Sequence, residues 1–184
     1  YEVGYADVNS AGGKEVFVYE SGTRAYLATS AYSTRREFFI IDVTNKNGSR
    51  PNVGSYEANG MSPKGVTVVT GNKAILVGNG GEEYQVIDIT NETNPTRCAG
   101  LQVNSGINGV SSVLQSDGYA YSYTLTGDAS AEFKIILGGA GAGGNYSPTG
   151  VFESATFDAG GEVAWNNISA TVSASQNTTL QFKV

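Results

Sequence analysis

Phe38-Phe39-Ile40-Ile41-Asp42-Val43-Thr44-Asn45 returns as Tyr84-Gln85-Val86-Ile87-Asp88-Ile89-Thr90-Asn91. The step from Asp42 to Asp88 is 46 residues. Upstream, Gly22-Thr23-Arg24-Ala25-Tyr26-Leu27 matches Gly71-Asn72-Lys73-Ala74-Ile75-Leu76, and Asp117-Gly118-Tyr119-Ala120-Tyr121-Ser122 follows more loosely. Ala74 to Ala120 is again 46 residues, and residues 51–54 match 95–100 downstream. A repeat of this length indicates propeller blades or another repeat array.

Within each repeat, short apolar runs alternate with turn residues, and helical periodicity is almost absent. The second copy predicts a hairpin from 66–69 and 74–77, with Gly71 and Asn72 in the turn, then strands over 84–89 and 97–103. Four antiparallel strands per period make one blade. The first copy predicts strands over 15–19, 24–29, 37–43 and 52–57. The third predicts 110–115, 119–124 and 132–137, without a fourth. Residues 1–8 read as an orphan, the fourth strand of an earlier blade. An alternative has them clasp the third blade into a ring.

The expected fold class is all-β: about three propeller-type four-stranded blades over 1–137, a Gly/Ala linker over 138–145, and a small β-sandwich-like unit over 146–184. In that last unit, 151–157, 163–165, 168–173 and 179–184 read as strands. Roughly 40 residues is short for a domain standing alone. Ala25, Leu27, Ile41, Ala74, Leu76, Ile87 and Ala120 are expected in strands, buried between blades.

The repeats resemble the LVIVD repeat family of bacterial and archaeal surface β-propellers. The resemblance rests on Ala25-Tyr26-Leu27-Ala28, on Phe39-Ile40-Ile41-Asp42-Val43-Thr44-Asn45 with its second copy, on Val53-Gly54-Ser55-Tyr56, and on Asn94-Pro95. It covers about residues 1–137. Ile135-Ile136-Leu137-Gly138 departs from it, lacking the Asp and the Asn-Pro turn. The tail, including Trp165-Asn166-Asn167-Ile168-Ser169, is similar to a module of large bacterial cell-surface proteins. Some proteins with both units resemble type IV pilin-like subunits. Their N-terminal prepilin helix is not among these residues, so that tie is one of analogy.

Composition narrows the chemistry. The net charge of −6 argues against nucleic-acid and anionic-lipid partners. With no histidine, the commonest general base and metal ligand is absent. Cys98 is the only cysteine, which forbids an internal disulfide, and it reads as a small apolar strand residue. No apolar run approaches the ~18 residues of a membrane helix. Tyr1-Glu2-Val3 opens neither a signal peptide nor a Met-initiated chain, so a trimmed piece of a longer protein is expected.

Candidate functional residues are few. Asp42 and Asp88 recur before a Thr-Asn turn. As carboxylates they could bind metal or substrate, but recurrence in successive repeats favours structural turn residues that accept turn amides. Glu82 and Glu83 offer calcium carboxylates or a solvated loop, without the alternating acids of a calcium loop. Asp7, Asn9, Glu15, Asp128 and Glu132 form no better set. Residues 138–144 lack the Gly-Lys-Ser/Thr ending of a phosphate loop. Ser105, Ser111 and Ser112 have no elbow motif and no histidine base.

Tyr32, Tyr121, Tyr123 and Trp165 could stack on sugars, though strand aromatics usually fill cores. Possible glycosylation acceptors are Asn47, Asn91, Asn145, Asn167 and Asn177. The expected function is a non-catalytic, extracellular structural or adhesive building block of a cell surface or pilus-like filament, needing no cofactor. Expected partners are other protein chains joined by strand pairing, and surface glycans, with no nucleic acid and no membrane span. Residues 1–8 and the terminal strand with Leu180, Phe182 and Val184 are the favoured strand donors. The competing expectation is a carbohydrate- or calcium-binding module, or a fragment of a secreted hydrolase.

Overall fold

The computed structural model describes residues 1–8, 11–19, 21–30, 36–69 and 72–138. The chain divides into two units, Tyr1–Pro148 and Thr149–Val184, and all described residues lie in the first. The expected tail strands and almost the whole expected linker lie outside the described residues. Gly138, expected to open the linker, instead ends a strand opposite Ala120.

Every described regular element is a strand. Sheet 1 runs in the order β2 (Gly13–Val18), β3 (Arg24–Thr29), β4 (Phe38–Asp42), β6 (Asn52–Tyr56). Sheet 2 is β7 (Ser62–Val69), β8 (Lys73–Asn79), β9 (Tyr84–Asp88), β10 (Thr96–Leu101). Sheet 3, among the described residues, holds β11 (Ile107–Leu114), β12 (Ala120–Thr126) and β13 (Phe133–Gly138). Within each sheet, neighbours are antiparallel.

The first hairpin of each sheet turns on a residue with positive φ: Gly22 at 61°, Asn72 at 56° and Gly118 at 84°. Glycine and asparagine enter that region at little cost. Each first strand also carries a register shift near its start, between Gly13 and Glu15, Pro63 and Gly65, and Ile107 and Gly109. Such bulges bend and twist a strand.

Alternation decides which side chains face which sheet. Tyr26, Ala28, Phe38, Ile40 and Tyr56 of sheet 1 pack against Val66, Val68, Ala74, Leu76 and Ile87 of sheet 2. On the other face of sheet 2, Val69, Ile75, Val77, Tyr84 and Val86 pack with Ile107, and with Val110 and Ile136 of sheet 3. Both faces of β4 are therefore apolar, which explains its unbroken hydrophobic run, whereas β9 turns Tyr84 and Val86 toward sheet 3 and Gln85 and Ile87 toward sheet 1.

All seven residues expected to be buried between blades lie in strands and six are buried, but Ala25 and Ile41 are buried on the outer face of sheet 1 and not between sheets. Leu27 lies on that same outer face and is half-buried.

The start of the chain differs from expectation. β1 (Gly4–Tyr5) is not an unpaired orphan. It pairs in parallel with a short extra strand, β5 (Gly48–Ser49), inside the turn that follows β4. β13 does not take β1 as a clasp and is the edge strand of sheet 3 among the described residues.

Candidate functional site

The recurrent aspartates sit at the ends of β4 and β9. Asp42 Oδ1 accepts the amide of Thr44 at 2.8 Å, and Asp88 Oδ1 accepts that of Thr90 at 2.8 Å. Each forms an Asx turn that redirects the chain. The second oxygen faces a cation on the neighbouring strand: Arg24 Nη1 at 3.4 Å from Asp42, and Lys73 Nζ at 3.0 Å from Asp88. Asp42 is held below the usual carboxylate range, first by the Thr44 amide and hydroxyl and then by Arg24. Asp88 falls to about 2 through the Thr90 hydroxyl and amide, with Lys73 adding to them. Both carboxylates are half-exposed rather than buried.

Glu82 and Glu83 separate completely. Glu82 grips the Arg97 guanidinium through two hydrogen bonds, of 2.7 and 2.6 Å. Glu83 is neither a calcium ligand set nor a solvated loop. It is buried, and its carboxylate accepts the amides of Val103, Asn104 and Gly106 at 2.8, 2.6 and 3.0 Å. Those amides belong to the segment joining sheet 2 to sheet 3. One repeat earlier, buried Glu37 accepts the amide of Ala58 at 3.0 Å, in the segment joining sheets 1 and 2. Hydrogen bonds to a charged acceptor contribute roughly 1.5–3 kcal/mol each. Here they offset the cost of burying the charge and fasten each sheet to its successor. Glu37 escaped notice in the sequence, although its 46-residue step to Glu83 was there to be read.

Further side chains cross the sheet interfaces. Glu15 Oε2 accepts the Val66 amide at 2.9 Å, and Arg24 Nε donates to Glu92 Oε2 at 2.8 Å. Tyr56 hydroxyl donates to Gln85 Oε1 at 2.9 Å, and Gln85 Nε2 to the Ala58 carbonyl at 3.0 Å. Between sheets 2 and 3, Tyr84 hydroxyl and Ser122 Oγ are 2.8 Å apart, with Ser112 Oγ 2.7 Å further on. Burial pushes the Tyr84 phenol pKa up.

The remaining candidates do not converge. Asp128 binds Lys134 Nζ at 3.0 Å and is held well below the usual range by the Ser130 amide and hydroxyl. Asp7 and Glu132 are exposed, and Asn9 lies outside the described residues. Ser105 Oγ is buried without a partner, while Ser111 is exposed. Tyr121 hydroxyl donates to Asp117 Oδ2 at 2.8 Å, and Tyr123 stacks on Phe133 with ring centres 6.2 Å apart. Cys98, expected as a packed strand residue, is exposed at the irregular register of β10.

Asn47 and Asn91 are exposed in equivalent turns; Asn145, Asn167, Asn177, Tyr32 and Trp165 lie outside the described residues. Among the described residues no cluster of three or more His, Cys, Asp or Glu could hold a metal ion. No described helix is long and apolar enough to cross a membrane.

Two apolar faces stand open instead. On the outer face of sheet 1, Ala25, Phe39 and Ile41 form a small core with Ala6, Val8, Leu27 and Val43. Beside it lies a groove of about 410 Å³, walled by Val3, Tyr5, Val16 and Leu27, with Lys46 and Arg50 at its rim. Val16 is 58% exposed there, whereas Val66, its equivalent in sheet 2, is 2% exposed. On the outer face of sheet 3, Leu125, Phe133, Ile135 and Leu137 are each more than half exposed. No protein-family model matches the chain, and no curated protein matches its sequence.

Proposed function

We propose that this chain is a non-catalytic structural or adhesive building block of a cell surface or appendage, assembled through contacts between β-sheets. Its sheets are read as blades of an LVIVD-like propeller array. The observation that carries the reading is the pair of open apolar sheet faces at opposite ends of the stack. Val16 and Val18 are exposed on sheet 1, and Leu125, Phe133, Ile135 and Leu137 on sheet 3. Apolar faces of this kind mark surfaces for other protein. The cross-sheet contacts of Glu15, Glu37, Glu83 and Arg24 support the same reading, because polar side chains serve the stacking of one sheet on the next. Exposed Asn47 and Asn91 suit a glycosylated outer surface.

The test is the mass and shape of the purified chain, by light scattering and electron microscopy over a wide concentration range. Concentration-dependent growth into fibres or larger particles is expected. A monodisperse single chain at every concentration overturns the reading.

A further inference from the structure

β1 occupies a definite place in the repeat. β6, the fourth strand of sheet 1, lies so close to sheet 2 that a methyl group on Gly54 would collide with the Glu92 carbonyl. A methyl group on Gly4 of β1 would collide in the same way with the Lys46 carbonyl. Lys46 is the residue one 46-residue step before Glu92. The segments that follow also correspond. After β6, Ala58 and Met61 pack into the core on sheet 2; after β1, Ala6 and Val8 pack against Ala25, Phe39 and Ile41 of sheet 1. β1 thus sits against sheet 1 as the fourth strand of one sheet sits against the next. Its only pairing among the described residues is with β5.

Sheet 3 has the complementary defect. Among the described residues it contains three strands, with β13 at the edge. Its outer face repeats the face that sheet 1 turns to sheet 2. By strand register, Tyr26, Ala28, Phe38 and Ile40 correspond to Tyr121, Tyr123, Ile135 and Leu137. The opposing surface is repeated too. Val66 and Val68, covered by sheet 1, correspond to the open Val16 and Val18. The rim keeps a charge match of opposite sense: where Arg24 meets Glu92, the equivalents are Tyr119, beside exposed Asp117, and Lys46.

We infer that copies of this chain join head to tail. The outer face of sheet 3 of one copy docks on the outer face of sheet 1 of the next, and the incoming β1 pairs antiparallel with β13 as its fourth strand. This rests on the structural reading above and names its partner, a second copy. The contact is heterologous, so it generates a ring where the rotation closes and a filament where it does not.

Strand register makes the inference testable. Gly54 lies opposite Ile40, and its equivalent Gly100 lies opposite Gln85. These two registers put Tyr5 beside Ile135 or Ile136. In a Cys98→Ser background, one preparation carries Tyr5→Cys and the other Ile135→Cys or Ile136→Cys. Tyr5 and Ile135 are both more than half exposed, so their changes leave the core alone, whereas Ile136→Cys trims a side chain that packs toward sheet 2.

Mixing the two preparations under mild oxidation should give a disulfide-linked pair containing one chain of each kind. A single chain carrying both cysteines should give a ladder of linked chains. A link within one chain, running at single-chain mass, overturns the inference in favour of self-closure. As a second measurement, Ile135→Asp with Leu137→Asp should weaken self-association at least tenfold. Chains that associate by light scattering, yet form no link at either position and are unaffected by the aspartates, overturn the head-to-tail contact while the structural reading stands. Chains that never associate overturn both.

Discussion

Sheets 2 and 3 come from successive copies of one repeat, yet among the described residues sheet 2 is covered on both faces and sheet 3 on one. In sheet 2, β8 presents Ala74 and Leu76 to sheet 1 and Ile75 and Val77 to sheet 3, and all four are fully buried. In sheet 3, β12 buries Ser122 and Thr124 toward sheet 2 and turns Tyr121, Tyr123 and Leu125 outward. The pattern is inverted, with hydroxyls inside and apolar groups outside. Burial in this fold is therefore not set by the strand alone. It depends on whether a neighbouring sheet is present, as expected where each unit contacts only its neighbours.

The largest expected effect compares Leu76 with Leu137. Leu76→Ala empties part of the core between sheets 1 and 2 and should cost about 2–5 kcal/mol. Leu137→Ala acts on a side chain that is 58% exposed. In dilute solution it should stay within about 0.5 kcal/mol. Urea unfolding at low concentration measures both. Equal losses would show that the outer face of sheet 3 is covered within the single chain, and the contrast between the sheets would disappear.

A second comparison uses equivalent glycines. Gly54 lies on β6 against the backbone carbonyl of Glu92, whereas Gly100 on β10 is approached by the side chains of Glu82 and Arg97. A backbone atom cannot step aside as a flexible side chain can. Gly54→Ala should cost about 1–3 kcal/mol by overpacking. Gly100→Ala should cost clearly less, through disturbance of the exposed Glu82–Arg97 pair. Thermal unfolding of the two variants gives the order. A reversed order would mean that the outer strand of sheet 2, rather than that of sheet 1, is tightly seated on a neighbour.

Much of this was legible in the residues. The strands follow from apolar runs punctuated by Gly, Asn and Pro, and the repeated Ile-Asp phrase fixes β4 and β9 as equivalent. The bulges were not legible, because Lys14, Lys64 and Asn108 at the register shifts are ordinary polar strand residues that carry no bulge signal. β5 was hidden for a different reason. Gly48-Ser49 has no strand propensity and is extended only because β1 lies beside it. Glu83 was misjudged because its three amide partners lie some twenty residues downstream, and only the fold brings them around one carboxylate. The open faces could not be read at all, since exposure of Val16 and burial of Val66 arise from the same alternating pattern.

The smallest expected effect distinguishes Asp88 from Asp42. Both carboxylates are stabilised by a following Thr-Asn turn, but Lys73 hydrogen-bonds Asp88 at 3.0 Å, while Arg24 lies 3.4 Å from Asp42 and also serves Glu92. Asp88 falls from 3.8 to about 2 in the folded chain. The native state therefore binds this proton more weakly than the unfolded state. Its stabilising contribution is complete above pH 3.8 and is lost as the pH falls from there toward 2. The group is half-exposed, so salt should screen the ion-pair part of the effect. Asp88→Asn keeps an oxygen for the Thr90 amide and removes the titration. It should flatten the acid limb of a stability profile measured between pH 5 and pH 2, and Asp42→Asn should flatten it less. Equal flattening would mean that the Asx turn alone sets both carboxylates and that Lys73 contributes nothing the Arg24 contact lacks. An acid limb unchanged in both variants would mean that neither Asx turn sets the acid sensitivity of the fold.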